Sequence, residues 1–175
     1  MRGKNAQVWI ETVIYTLIGL SIIGIVMGIV KPSIDEKRDS LSIKQGVDIL
    51  NSIDGTVNEI KYTSGNSREL KVRIGRGKLF IEGLNDIVEI VMDSTSYKYS
   101  EPNAVINAGG NVKAITLATG KKFQVTLYLD YQNKLNITYK GKDAMGTLQA
   151  TPSDYNLLVL NRGAVNEMNN IDFSD

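Results

Sequence analysis

The sequence predicts an α+β protein: a long N-terminal helix, apolar in its first half, whose second half lies on an antiparallel β-sheet or small sandwich. Three observations predict it. Between Glu11 and Lys31 lie nineteen uncharged residues, about the number a helix needs to cross the ~30 Å hydrocarbon core of a bilayer. From Ile43 to Ile60 the apolar residues recur at spacings of three and four, the period of a helix with one buried face. After Gly65 that period changes to two, the signature of strands.

The chain opens on a polar head, MRGKNA, followed by the apolar run to Val30. Glu11 sits near the start of that run, where a carboxylate is costly; at the centre of a bilayer the insertion cost is roughly 2.5–3.5 kcal/mol, and it is less near the interface. A cut between Ala6 and Gln7 creates an α-amino group one helical turn away, mostly cationic at neutral pH. In a packed array of such helices, Glu11 of one subunit pairs with the Gln7 amine of the next. Small residues are ordered along the run: Ser21, Gly24 and Gly28 fall on one stripe, Thr12, Thr16 and Gly19 on another, and Gly24 to Gly28 is a G-x-x-x-G. Small residues let helix backbones approach closely in lipid, and two stripes suit a helix packed on several sides.

These residues resemble the class III signal peptide of archaeal type IV pilins. The likeness lies in the basic head Arg2-Gly3-Lys4-Asn5-Ala6, Gln7 as first mature residue, Glu11 as the fifth, and the apolar helix after it. Trp9 and Tyr15 stand where the usual Q-x-S-x-E-x-x-x-L pattern has Ser and Leu. The resemblance covers about thirty residues. It implies cleavage by a prepilin peptidase at Ala6–Gln7, with Gln7, Glu11, Gly19, Ser21, Gly24 and Gly28 as subunit-assembly residues. It also implies a pilus assembly ATPase and a platform membrane protein as partners, and self-association into a helical homopolymer.

Pro32 cannot donate to the carbonyl of Gly28, so a kink or brief break is expected there. The helix then resumes, with Ile43, Val47, Leu50, Ile53, Val57 and Ile60 on the face meant for a sheet and Lys44, Asp48, Asn51 and Asn58 on the other. Gly65 is suited to the left-handed conformation that ends a helix.

Leu70, Val72 and Ile74 alternate with Lys71 and Arg73, and Leu79 and Ile81 follow a turn at 75–77, which suggests a hairpin. Residues 86–93 form a third strand candidate, with a short helix as the alternative. Turn residues dominate 94–110, read as a long loop with little regular structure, and strands resume at 113–118. Residues 122–131 carry Phe123, Val125, Leu127, Leu129 and Tyr131 on one face, and the chain returns through Leu135, Ile137 and Tyr139. Residues 157–160 read as a strand buried on both faces, and the polar end from Asn166 as only partly ordered apart from Ile171 and Phe173. Asn136-Ile137-Thr138 is a glycosylation sequon, with Asn136 and Thr138 expected on the face opposite the core.

Composition excludes several functions. With 20 Lys plus Arg against 19 Asp plus Glu, no basic excess exists to bind nucleic acid, and loss of Arg2 and Lys4 leaves 18 against 19. Without Cys or His there is no disulfide framework, no zinc site of the usual N/S type and no Ser-His-Asp or Cys-His pair. The Gly-Lys pairs at 77/78, 120/121 and 141/142 lack the Gly a P-loop requires five residues earlier, and Gly75-Arg76-Gly77 lacks the third Gly of a dinucleotide fingerprint. No metal, cofactor or catalytic residue is indicated, and no enzyme is expected.

The predicted organisation is therefore a cleaved leader at 1–6, a transmembrane or filament-core helix at 7–31, its amphipathic continuation at 32–63 and a β-rich head at 64–175. The expected function is that of a structural subunit of an archaeal type IV pilus-like filament, serving adhesion, held in the cell membrane as a precursor and then carried to the surface. The alternative is a single-pass membrane-anchored binding or adhesion module that keeps residues 1–6. An ordinary secretory signal is disfavoured because its apolar region is usually 7–15 residues and a charge here lies inside its start.

Overall fold

A computed structural model describes residues 3–165 and 167–175, with side chains described from Val8 onward. Helix α1 runs Gly3–Ile60 without interruption, 58 residues or about 87 Å at 1.5 Å per residue. The break expected at Pro32 does not occur. Proline removes one rung of the ladder, and long helical stretches on both sides carry the backbone across the gap.

The two halves of α1 meet different surroundings. From Val8 to Val30 the apolar side chains are exposed along the helix, whereas Ile43, Leu50, Ile53, Val57 and Ile60 are wholly buried and Val47 nearly so. The three-and-four spacing thus forms the face that packs. It meets strands of two sheets, and at Gly46 the approach is so close that an added Cβ would stand 2.8 Å from both Leu127 Cδ1 and Met92 Cε.

Ten strands follow: β1 Ser67–Val72, β2 Lys78–Glu82, β3 Ile87–Thr95, β4 Val105–Gly109, β5 Val112–Thr119, β6 Lys122–Asp130, β7 Leu135–Tyr139, β8 Met145–Gln149, β9 Tyr155–Val165 and β10 Met168–Ser174. They form a four-stranded sheet in the order β1-β9-β10-β7 and a six-stranded sheet in the order β4-β5-β6-β3-β2-β8. All pairings are antiparallel except β7 with β10. The fold is α+β, with one long helix packed on a mainly antiparallel β-region.

Several local expectations need correction. Residues 70–74 and 79–81 are not a hairpin: β1 pairs with β9 and β2 with β3 and β8, so the turn at 75–77 carries the chain between sheets. The return after β6 is likewise no hairpin. Asp86, at φ 53°, accepts the Tyr131 N–H on its carbonyl at 3.0 Å and the Ile137 N–H on Oδ1 at 2.7 Å. That tie turns β7 away to pair in parallel with β10. The loop at 94–110 ends in β4, and β8 was not read at all.

Two further corrections lie in the four-stranded sheet. Leu158 is exposed between buried Leu157 and Val159, so β9 has one core face rather than two. The C-terminus is an interior strand. In β10, Ile171 and Phe173 are wholly buried, while Asn170 and Asp172, also buried, both accept from the Thr138 hydroxyl. Asp172 also accepts from Gly141 N at 2.7 Å and from Arg162 Nη2 at 2.7 Å. Polar side chains that satisfy one another disguise a core strand as a tail.

Candidate functional site

The surface most unlike that of an ordinary folded domain is the first half of α1. Helix α1 contains a stretch long and apolar enough to cross a membrane, and none of that stretch is buried. Its polar side chains look inward along the helix: Thr12 Oγ1 donates to Val8 O at 2.9 Å, Thr16 to Thr12 O at 2.7 Å and Ser21 to Leu17 O at 2.7 Å. With these hydroxyls satisfied by backbone four residues earlier, the helix presents almost no unmet polar group to lipid or to a partner helix. A Cβ added at Gly19, Gly24 or Gly28 would meet nothing within 4 Å, so the small stripes form open grooves.

The side chains of Ala6 and Gln7 lie outside those described, as do Met1 and Arg2 entirely; the backbone of residues 3–7 is helical and continuous with the rest. Glu11 lies on the same helix as Gly19, Ser21, Gly24 and Gly28, none of them buried, and Gly28, at the end of this half, borders a cleft with Ser96 and Lys122 of the head.

At the neck, where helix meets head, Asp39 is buried. Its carboxylate accepts from the Arg76 guanidinium and from Ser96 N, and Arg76 also donates to the carbonyls of Asp93 and Ser94 at 3.3 and 3.1 Å. One buried carboxylate thus ties the helix to the β2 approach and to the end of β3. Sequence reading passed over it because Asp39 looks like one of many helix-surface charges.

The far end of the helix borders a cleft of about 520 Å³ between the two sheets. Asp54 is its centre. Oδ1 accepts from Tyr131 Oη at 2.9 Å, and Oδ2 from Asn111 Nδ2 at 2.8 Å and Asn58 Nδ2 at 3.0 Å. Burial, with Asp54 beside it, pushes the Tyr131 hydroxyl well above its ordinary pKa and keeps it a donor. Lys61 donates to Asn58 Oδ1 at 2.7 Å, and Lys113 lies 3.3 Å from Asp130 Oδ2. The rim carries the exposed ring of Tyr62, with Lys61 Nζ 4.9 Å from its centre. A carboxylate so fully occupied by donors is a structural anchor and poorly suited to abstract a proton. The one signal for it in the sequence was Asp54 and Asn58 at i, i+4 on the margin of the apolar stripe.

Asn136 is half-buried in β7, paired in register with Asn170, and Thr138 is buried. Both alternate with the core residue Ile137, and on their face Thr138 is buried because Asp172, to which it donates, is also bonded by Gly141 N and Arg162. Among the described residues no cluster of His, Cys, Asp and Glu could hold a metal ion. In comparisons with known proteins, no protein family, no curated protein and no solved structure matches this chain.

Proposed function

We propose that this protein is a structural subunit of a type IV pilus-like surface filament, inserted in the membrane as a precursor and assembled through the first half of α1. The observation that carries the reading is one continuous helix with two contrasting halves, its large apolar side chains exposed from Val8 to Val30 and its buried face locked into a β-rich head from Asp39 onward. An apolar helix of this kind is stable either in lipid or packed on copies of itself. Burial against neighbouring helices offsets extraction, at about 25 cal/mol per Å² once water is the alternative. The grooves at Gly19, Gly24 and Gly28 and the self-satisfied hydroxyls favour close helix packing.

In this reading a prepilin peptidase cuts between Ala6 and Gln7, and the new α-amino group of one subunit pairs with Glu11 of its neighbour. An assembly ATPase and a platform membrane protein drive the transfer from lipid to filament. The resemblance of residues 1–30 supports these partners.

A second reading, a membrane-anchored binding module, is favoured by the cleft at the distal end of the head, the end that faces away from a bilayer. One experiment separates the two: intact mass and N-terminal sequencing of the protein in sheared surface material. Sedimentable filaments of a chain starting at Gln7 support the pilin reading; a membrane-bound chain that retains residues 1–6 supports the anchored module. Glu11→Ala is expected to leave insertion intact and to abolish or thin the filaments, counted by electron microscopy. Normal filament numbers from that variant would sink the pairing.

A further inference from the structure

We propose that the membrane-proximal end of the head is a docking surface for the phosphate headgroups of an anionic bilayer, engaged through Lys31, Lys121 and Lys122. The proposal rests on the membrane placement of residues 8–30 and goes beyond it by placing the head as well.

The geometry comes from the hairpin that joins β5 to β6. Thr119 pairs with Lys122, so the connection is the two residues Gly120 and Lys121. Gly120 has φ +65°, suited to the first position of a tight type II′ turn. Such a turn holds two lysines at a short, stiff tip. That tip reaches back along the helix: a cleft of about 290 Å³ is lined on the helix side by Met27, Gly28, Lys31, Pro32, Asp35 and Glu36, with Ser96 and Lys122 across it.

Met27 precedes Lys31 by about 6 Å of helix rise. The polar layer of a bilayer adds about 5–7 Å outside each face of its hydrocarbon core. With the apolar run spanning that core and Lys31 at its outer edge, Met27 lies about 6 Å inside the edge, while a group alongside Lys31 and Pro32, as Lys122 is across this cleft, stands at the headgroup layer. The head therefore touches the membrane surface without bending the helix.

The charges agree with that position. Lys31, Lys37, Arg38, Lys121 and Lys122 are exposed there, against exposed Glu36 and Asp93 and half-buried Asp35. Asp39 and Arg76 neutralise one another behind them. The Asp39 clamp, joined to Arg76 and to Ser96 N, holds the end of β3 against the helix, and Lys122 Nζ donates to Ser96 Oγ, so the tip is presented in one orientation. Each cation at an anionic surface raises membrane affinity about fivefold.

The chain has no cysteine, so Thr119→Cys in the full chain gives a single labelling site on the exposed tip. The labelled protein is reconstituted in vesicles of phosphatidylcholine alone and of phosphatidylcholine with phosphatidylglycerol, each carrying nitroxide on the headgroup. The Trp9 fluorescence reports insertion independently. Docking predicts quenching of both Trp9 and the tip label, stronger at the tip in anionic vesicles and reduced severalfold by adding Lys121→Gln and Lys122→Gln, with Trp9 unchanged. A quenched Trp9 beside an unquenched tip overturns the docking while leaving the span intact. Equal tip quenching in both lipids, indifferent to the lysine substitutions, overturns the role of the phosphates. Failure to quench Trp9 overturns the membrane placement itself.

Discussion

Asn161 shows how one buried side chain ends a helix a hundred positions away. A helix leaves its last carbonyls without partners, and here Asn161 Nδ2 donates to Ile60 O and Lys61 O, both at 2.9 Å, while its Oδ1 accepts from Gly163 N at 2.8 Å. Asn161→Ala removes the donor, strands the Lys61 carbonyl and leaves Ile60 O only its bond from Thr63 N at 3.2 Å; the expected loss is about 2 kcal/mol, read from urea unfolding of the full chain in mild detergent by near-ultraviolet circular dichroism. Glu89 behaves oppositely. It lies between Phe80 and Tyr128 on neighbouring strands, and burial first, then the negative charge of Glu82, raises its pKa above the ordinary carboxylate value. Ionising Glu89 therefore costs the folded state more than the unfolded one, so its contribution to stability is full below pH about 4 and is lost as pH rises through its folded pKa. Glu89→Gln is expected to raise the melting temperature at pH 7 and to leave it unchanged at pH 3.5. A shift of equal size at both pH values would remove the burial argument. Neither role was readable beforehand, since an Asn in a strand and a Glu between apolar residues look like ordinary outward positions.

Within α1, two glycines in one element separate packing from propensity. Gly55 is exposed, and a Cβ there meets nothing, so Gly55→Ala is expected to stabilise the protein by about 0.5–1 kcal/mol through helix propensity alone. Gly46→Ala gains the same propensity but pushes on Leu127 and Met92 in the core; a net loss of about 1–2 kcal/mol is expected. Paired unfolding curves check both, and a stabilising Gly46→Ala would mean that the two side-chain ends yield freely. Elements differed in how far their sequence disclosed them. The helix and β3, β5 and β6 were legible because their apolar residues keep one period over many positions and one face is buried. β8 and the regular strand β10 were not, and β7 was legible as a strand but not in its parallel pairing with β10, since these partners are distant in sequence and polar residues are satisfied by tertiary bonds such as Thr138 to Asp172. Pairing was misread where the turn at 75–77 was taken for a hairpin, and Asp86, expected to open a strand, stands before β3 at φ 53° with its carboxylate holding Ile137 N of β7, a bond nothing local to Asp86 discloses.

At the scale of the whole molecule, the division of labour along α1 decides what the protein does in water. The apolar half was visible in sequence because its nineteen residues run without a charge; the neck and the distal cleft were not, because Asp39 and Asp54 acquire their meaning only from Arg76, Ser96, Tyr131 and Asn111 on other elements. Among the described residues, all the buried side chains that α1 gives to the head lie from Asp39 onward, and Asp39 itself is clamped to the β-region. A chain beginning at Ser33 should thus keep every core contact while losing the exposed apolar residues between Val8 and Val30. It is expected to be a detergent-free monomer by sedimentation velocity, with one cooperative unfolding transition and the same Asn161-capped helix end by hydrogen exchange. The full chain, by contrast, should require detergent, lipid or self-association. The reason is that exposed apolar patches beyond a few hundred Å² drive association, and this half-helix presents apolar side chains all round. Loss of cooperative unfolding on truncation would show that the first half of α1 stabilises the head as well as carrying it. Persistent aggregation of a folded truncated chain would move the self-association surface from the helix to the head.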